Sequence, residues 1–213
     1  MTRIAVIGGT GYAGRHIVTE AVRRGHTVVS VARSVPGERI DGATYIEGTL
    51  LDAPNLVAEL QGVEVIVLAV PARGDMEGQL RPGVAELVAA LPAGIRIGVV
   101  GGAGGSLSEA DGPRVVDLPS FTEEYKPEAL EAIDILHDLR ETPAEQDWFY
   151  VHPAGGFGGW NPGERTGAYR DGGDVIVTDD DGESFIGGDD FAIAVLDEIE
   201  QPKHSRERFT VGY

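Results

Sequence analysis

The stretch that decides the fold is residues 3–34, RIAVIGGTGYAGRHIVTEAVRRGHTVVSVARS. A short apolar run precedes glycines at positions 8, 11 and 14, and a segment with apolar residues at helical spacing follows them. Gly25 ends that segment, and a second apolar run begins directly after it. This order predicts a strand, a glycine-rich turn, a helix and a second strand, which is the unit of a parallel α/β fold.

The same alternation continues along the chain. Strand-like runs stand at 43–48, 63–70, 95–100 and 147–153, and helix-like segments stand at 54–62, 84–91 and 127–141. The continuous Val/Ile runs predict strands that are covered on both faces. After Pro153 the chain is rich in glycine, and we expect a short hairpin at 175–187, a helix with Asp189 or Asp190 as its N-cap, and a last strand at 208–213.

The predicted fold class is therefore α/β, a Rossmann-type doubly wound parallel sheet with a small C-terminal lobe. We expect a single domain over residues 1–213, with a dinucleotide-binding core at 1–153 and a substrate-side lobe at 154–213.

Composition and charge argue against several classes of partner and location. The formal net charge of −18 argues against nucleic acid as a partner, because phosphate contacts need a basic surface. There is no cysteine, no spacing typical of metal ligands, and no apolar run of the roughly 20 residues that a membrane span needs. No secretory signal pattern is visible, and we expect a cytoplasmic protein whose partner is a small molecule.

The glycine loop predicts a dinucleotide site. Gly8 permits a tight turn, Gly11 lets the backbone approach a pyrophosphate with a backbone angle that larger residues avoid, and Gly14 lets the helix pack closely on the strand. The pyrophosphate would meet the free N–H groups of the helix, and Thr10, Tyr12 and Ala13 complete the loop. The alternative is a tight turn without a ligand.

The end of the second strand indicates which cofactor is bound. An NAD site usually has an acidic residue there, whereas this chain has Arg33 and Ser34, which suit the 2′-phosphate of NADP. We therefore predict NADP, with NAD as the alternative. Asp52 is predicted to lie beside the adenine ring, and it could instead cap the following helix.

The ends of the fourth and fifth strands should line the nicotinamide side of the cofactor. The predicted contacts there are Ala69, Val70, Pro71, Arg73, Gly101 and Gly102. The glycine cluster at 101–105 would form a surface that admits a flat ring, and its alternative is a flexible loop.

Catalytic residues are harder to assign. No tyrosine is followed by lysine four residues later, so the Tyr-x-x-x-Lys pair of short-chain dehydrogenases is absent. Ser106 and His152 are the candidates that remain, for orienting a substrate and for proton transfer, although a histidine at a strand end is often structural. Phe157 and Trp160 could form an aromatic lid over an acceptor, or pack within the lobe.

Several segments together resemble the atypical short-chain dehydrogenase family of provisional NADH-flavin reductases, which is similar to NmrA-like proteins and to biliverdin-IXβ reductases. They are the glycine loop, VVGGAGGSL at 99–107, PGERTGAYRDGGD at 162–174 and GESFIGGDDFAIAVLDEIE at 182–200. The resemblance implies an NAD(P)-binding Rossmann domain with a reductase role. The chain departs from the family by an extra glycine before Ser106 and by Thr49 in place of an aspartate.

Two functions follow as expectations. The first is an NADPH-dependent oxidoreductase that reduces a flavin, a quinone or a similar flat acceptor, since such acceptors can take their proton from water. The second is a non-catalytic NADP(H) sensor of the NmrA-like type, which the missing proton donor favours.

Overall fold

The computed structural model describes all 213 residues. Eight strands form one sheet in the order β3-β2-β1-β4-β5-β6-β8-β7, and every neighbouring pair is parallel except β7 with β8. The strands are β1 (Arg3–Ile7), β2 (Thr27–Ala32), β3 (Ala43–Glu47), β4 (Val65–Leu68), β5 (Arg96–Val100), β6 (Trp148–Pro153), β7 (Arg170–Asp171) and β8 (Glu207–Gly212).

Five helices cover the sheet: α1 (Tyr12–Arg23), α2 (Ala53–Glu59), α3 (Leu80–Ala90), α4 (Lys126–Arg140) and α5 (Gly188–Glu200). The longest has 15 residues, and none combines the length and the apolar character that a bilayer crossing requires. The prediction of a doubly wound Rossmann-type fold is thus confirmed.

Two apolar layers account for this arrangement. Successive side chains of a strand point to opposite faces, so that Ile4 and Val6 pack with α1 and α5, while Ala5 and Ile7 pack with α2, α3 and α4. Both faces are therefore buried, and the unbroken Val/Ile runs of the sequence follow from that burial.

The part after Pro153 continues the same layers. Strand β8 pairs with β6, and α5 packs against α1. The expected hairpin at 175–187 forms its turn, with Gly182 at φ +84°, but not its strands. Val175 instead forms a bridge with Leu107, and Ile176 N–H donates to the Leu107 carbonyl, because the loop after β5 lies beside this segment.

The start of α5 also differs from expectation. Its N-cap is Gly187, and neither Asp189 nor Asp190 caps the helix. Both aspartates lie in the first turn and bind partners distant in sequence, Asp189 with His16 and Asp190 with Thr166. Their tertiary contacts replace the local capping role.

Candidate functional site

The glycine loop joins β1 to α1 at the carboxyl edge of the sheet. Gly8 has φ +84°, and a Cβ there would lie 2.5 Å from the carbonyl oxygen of Ala69. A Cβ on Gly14 would lie 2.1 Å from the carbonyl oxygen of Gly8, so the first turn of α1 rests directly on the loop. These two glycines are required by the protein's own backbone.

Gly11 is different. Its backbone is extended, at φ −72° and ψ 175°, so the predicted need for an unusual backbone angle is wrong at Gly11 and belongs to Gly8. A Cβ on Gly11 would meet only the Gly8 carbonyl oxygen, at 3.3 Å. The absent side chain therefore leaves open space in front of the helix, where a ligand can approach the backbone.

The amino end of α1 offers hydrogen-bond donors to that space. Arg15 N–H is the first to bond back, to the Gly11 carbonyl at 2.8 Å, which leaves the amides of Tyr12, Ala13 and Gly14 without an acceptor in the helix. No acidic residue lies in this first turn. Free amides and the helix dipole together favour an anion here.

A cleft of about 600 Å³ lies beyond the ends of β2 and β3. Its lining residues are Arg33, Glu47, Gly48, Thr49, Leu51, Asp75 and Met76. Arg33 projects from the end of β2, and its guanidinium is 2.6 Å from the carboxylate of Asp75. Ser34 follows as an exposed residue. Of the residues predicted to contact the adenosine half of the cofactor, Arg33 lines this cleft.

Asp52 and Thr49 lie in the same turn but do different things. Thr49 lines the cleft, and its hydroxyl accepts a hydrogen bond from Leu51 N–H at 3.2 Å. Asp52 is at the N-cap position of α2, where its side chain caps no backbone amide. Its carboxylate instead accepts from the Asn55 side chain at 2.7 Å, and it does not line the cleft.

The sequence did not predict that the carboxylates of Glu47 and Asp75 line this cleft. Asp75 and Met76 belong to a short 3₁₀ turn, Gly74–Met76, directly after the predicted contacts at 69–73. The sequence Gly-Asp-Met directly after Arg73 indicates a turn with an acidic residue, but it does not indicate that the aspartate pairs with Arg33. Glu47 is the last residue of β3, at the same edge of the sheet.

The ends of β4 and β5 form the other side of the site. Ala69 N–H donates to the Ile7 carbonyl at 2.8 Å, and Val70 and Pro71 follow it along the edge. Arg73 is exposed, and its guanidinium lies 3.9 Å from the carboxylate of Glu128. These residues flank the glycine loop, since β4 pairs directly with β1.

The glycines after β5 have distinct surroundings. A Cβ on Gly101 would lie 2.1 Å from the Tyr150 ring, and one on Gly105 would lie 2.5 Å from the His152 ring, so both make room for side chains of β6. Gly102 has nothing within 4 Å of its Cβ position. The backbone at Gly102 is therefore open to a ligand. Gly105, the extra glycine before Ser106, instead makes room for the His152 ring.

Ser106 and His152 lie beneath this loop, with 0 % and 1 % of their surfaces exposed. His152 Nδ1 is 2.7 Å from the Gly102 carbonyl oxygen. Burial lowers the pKa of His152 to about 4, so the ring is neutral at pH 7 and Nδ1–H donates to that carbonyl. Ser106 Oγ and His152 Nε2 have no hydrogen-bond partner. Neither side chain reaches the surface of the site.

An aromatic segment borders the glycine loop. Phe157 packs edge-on against Tyr12, at 5.2 Å between ring centres, and against Phe191 at 4.5 Å. The Tyr12 hydroxyl donates to the Pro162 carbonyl at 3.2 Å, which ties the segment to α1. Trp160, in contrast, has 76 % of its surface exposed.

The segment GERTG at 163–167, which is part of the resemblance described above, contacts one buried carboxylate through several hydrogen bonds. Asp190 accepts hydrogen bonds from Thr166 N–H, the Thr166 hydroxyl, Gly167 N–H and the Tyr213 hydroxyl, at 2.6 to 2.9 Å. Burial opposes the charge, but these donors hold the pKa of Asp190 below its ordinary range. Asp190 therefore attaches this segment to the first turn of α5 and to Tyr213.

A nicotinamide dinucleotide fits the residues present. Gly11 leaves space at a helix end with free amides, and Gly102 leaves space at the end of a strand two places along the sheet. No group of three or more side chains has the arrangement of a metal site. The loop and the sheet together define an NAD(P)H-binding protein of the Rossmann type.

Comparison with known proteins agrees with this class. The family model for NAD(P)H-binding proteins matches residues 8–188, and the chain belongs to this family. It is 36 % identical to the uncharacterized protein YwnB of Bacillus subtilis over 214 residues, which cover 98 % of this chain and 97 % of that protein.

Two solved structures extend the comparison. A Streptococcus pneumoniae protein, described provisionally as an NADH-flavin reductase, has a TM-score of 0.87 at 33 % identity, covering 100 % of this chain and 99 % of that one. A Bacteroides thetaiotaomicron protein, described provisionally as an epimerase, has a TM-score of 0.86 at 29 % identity, covering 100 % and 97 %. The resemblance inferred from sequence is thereby confirmed at the level of the family.

Proposed function

We propose that the protein is an NADPH-dependent reductase of the cytoplasm that reduces a flavin, a quinone or a similar flat acceptor. The observation that carries the proposal is the open position at Gly102, where bare backbone at the end of β5 faces free space. A flat ring can lie against such a surface without meeting a side chain.

The proposed cofactor contacts lie along the carboxyl edge of the sheet. The amides of Tyr12 and Ala13 bind the pyrophosphate, and Arg33 with Ser34 binds the 2′-phosphate. Asp52 is proposed to lie on the adenine side of the cofactor. It is the last residue of the short turn that begins after Thr49, and Thr49 lines the cleft. On the nicotinamide side, the backbone at Ala69 and Val70 runs along the ribose, with Pro71 and Arg73 outside it.

When bound, NADPH would supply a hydride and become NADP⁺, and the acceptor would complete its two-electron reduction by taking a proton from water. No side chain of the protein then has to donate a proton. The buried positions of Ser106 and His152 agree with such a reaction, because neither can hand a proton to a substrate in the open site.

His152 is instead a positioning residue. Its Nδ1–H fixes the carbonyl of Gly102, and thereby the backbone against which the rings lie. Acceleration then comes mainly from holding two rings together in a suitable orientation. Ser106 supports the same loop from below, where its amide donates to the Ala103 carbonyl at 3.0 Å.

Trp160 is proposed to stack on the acceptor. Phe157 is already packed between Tyr12 and Phe191, whereas the Trp160 ring is free to contact a ligand. An exposed indole provides a flat apolar face for a second flat ring.

The second candidate is a non-catalytic NADP(H) sensor. The observation in its favour is that both candidate catalytic side chains are sealed from the site. Such a protein would bind NADPH tightly and turn over no acceptor.

The deciding experiment measures NADPH oxidation with a panel of flavins, quinones and small carbonyl compounds. We expect turnover with a flavin or a quinone, and a KM for the acceptor about tenfold higher in Trp160→Ala than in Trp160→Phe, with NADPH affinity unchanged in both. His152→Ala should lower the rate moderately. Tight NADPH binding with no turnover above the protein-free rate would instead establish the sensor.

A further inference from the structure

The cleft beyond β2 and β3 contains an ion pair that bears on cofactor choice. One cation, Arg33, faces a cleft that also contains the carboxylates of Glu47 and Asp75. The Arg33 guanidinium and the Asp75 carboxylate are 2.6 Å apart. The group proposed to bind the 2′-phosphate thus already has an anionic partner within the protein.

This pair is loosely held. The side chains of Arg33 and Asp75 are 70 % and 81 % exposed, so water competes with the contact from most directions. Exposed ion pairs of this kind contribute little to stability. The pair can therefore open when a stronger anion arrives, and the fold does not depend on it.

The position of Asp75, in contrast, is fixed by its neighbour. Met76 is buried at 7 % exposure in the core on the α2 and α3 side, and its N–H donates to the Arg73 carbonyl at 3.2 Å. Gly74, at φ +60°, allows the sharp turn before it. The 3₁₀ turn thus holds the backbone of Asp75 beside the end of β2, within reach of the Arg33 side chain.

We propose that Asp75 is an internal competitor of the 2′-phosphate of NADP for Arg33, and that it limits the preference for NADP over NAD. The phosphate carries about two negative charges. It can pair with Arg33 only by displacing the Asp75 carboxylate, and it then remains close to that negative charge. The uncharged 2′-hydroxyl of NAD meets neither cost. The inference rests on the proposed cofactor site but not on turnover.

The test is calorimetric binding of NADP⁺ and NAD⁺ to the folded protein. Asp75→Asn keeps the size of the side chain and removes its charge. We expect it to bind NADP⁺ about three- to tenfold more tightly than the wild type and NAD⁺ within twofold. Glu77→Gln is the matched control, because it removes an exposed carboxylate two residues away that does not line the cleft.

A third variant links the effect to the arginine. In an Arg33→Gln background, Asp75→Asn should gain less than half of what it gains in the wild type, because the competition itself has been removed. An equal gain in Glu77→Gln, or no gain in Asp75→Asn, would overturn the proposal. Weaker NAD⁺ binding in Asp75→Asn would also overturn it, since Asp75 would then hold the ribose.

The outcomes separate this inference from the function on which it rests. A wild type that binds neither nucleotide would overturn both. A wild type that binds NADP⁺ and reduces no acceptor would overturn the reductase alone, and the Asp75 result would then apply to the sensor.

Discussion

Three glycines of one loop do three different jobs. Gly8 adopts a positive φ, and a side chain at Gly14 would collide with the Gly8 carbonyl. The lack of a side chain at Gly11 leaves free the space at the amino end of α1. A substitution at Gly8 or Gly14 therefore tests the fold, and a substitution at Gly11 tests the ligand.

We expect Gly11→Val to abolish dinucleotide binding while the fold is retained. The extended backbone at Gly11 tolerates a branched residue, and the added side chain has only the Gly8 carbonyl to accommodate within the protein. Calorimetry with NADP⁺ and circular dichroism measure the two properties. The control is Gly37→Val, at an open position away from the loop. Unchanged affinity in a folded Gly11→Val variant would refute the proposed pyrophosphate position.

His152 makes stability depend on pH. Its pKa is about 4 in the folded protein and 6.5 ordinarily, so between these values the unfolded chain binds a proton that the folded protein does not. The free energy of unfolding therefore falls as the pH is lowered from 6.5 towards 4, by about 3 kcal/mol in total if this difference is fully expressed. Above pH 6.5 the contribution is constant.

The measurement is urea unfolding at several values between pH 7 and pH 5. We expect His152→Gln to lose about 2 kcal/mol less than the wild type over this range, because its amide has no comparable titration. His137→Gln, which removes an exposed histidine of α4, should keep the wild-type slope. Parallel curves for the wild type and His152→Gln would contradict the assignment.

At the scale of elements, α5 acts as an anchor through its first turn. Asp190 is fully buried and accepts four hydrogen bonds from the segment at 166–167 and from Tyr213. The segment has no strand or helix of its own, and this carboxylate accepts more of its hydrogen bonds than any other side chain does. The contacts of Thr166 and Gly167 with Asp190 therefore give the GERTG segment a structural role.

We expect Asp190→Ala to lower the free energy of unfolding by about 3 kcal/mol, because it removes the charged acceptor of four hydrogen bonds. Tyr213→Phe removes a single donor and should cost about 1 kcal/mol. Denaturant unfolding at pH 7 measures both, with the exposed Asp180→Asn as the neutral reference. Equal losses in the two variants would show that the segment is held by other contacts.

The elements themselves were largely predictable. Strands β3 to β6 lie within two residues of their predicted bounds, and β4, β5 and β6 were clear because each is a largely apolar, buried run. Strand β7 was not predicted, since two residues carry no periodicity. The 175–187 hairpin failed because its partner is the loop after β5, and a local pattern does not reveal a partner so distant in sequence.

At the scale of the whole molecule, part of the candidate site could be predicted from the sequence and part could not. The glycine loop and the strand ends could be located because a parallel sheet brings them to one edge. The burial of Ser106 and His152 and the pairing of Arg33 with Asp75 depend on how separate loops pack. These features decide what the site can do, and they arise from contacts between residues far apart in the chain.

The two borders of the sheet are unequal. On one side the last strand is only two residues long and runs against its neighbour, and on the other β3 carries Thr44 and Glu47 among its five residues. A strand of two residues presents too few unpaired peptide groups to template a further strand from another molecule. Growth of fibrils by strand addition at that border is therefore disfavoured, and β3 is the margin where such association would have to begin.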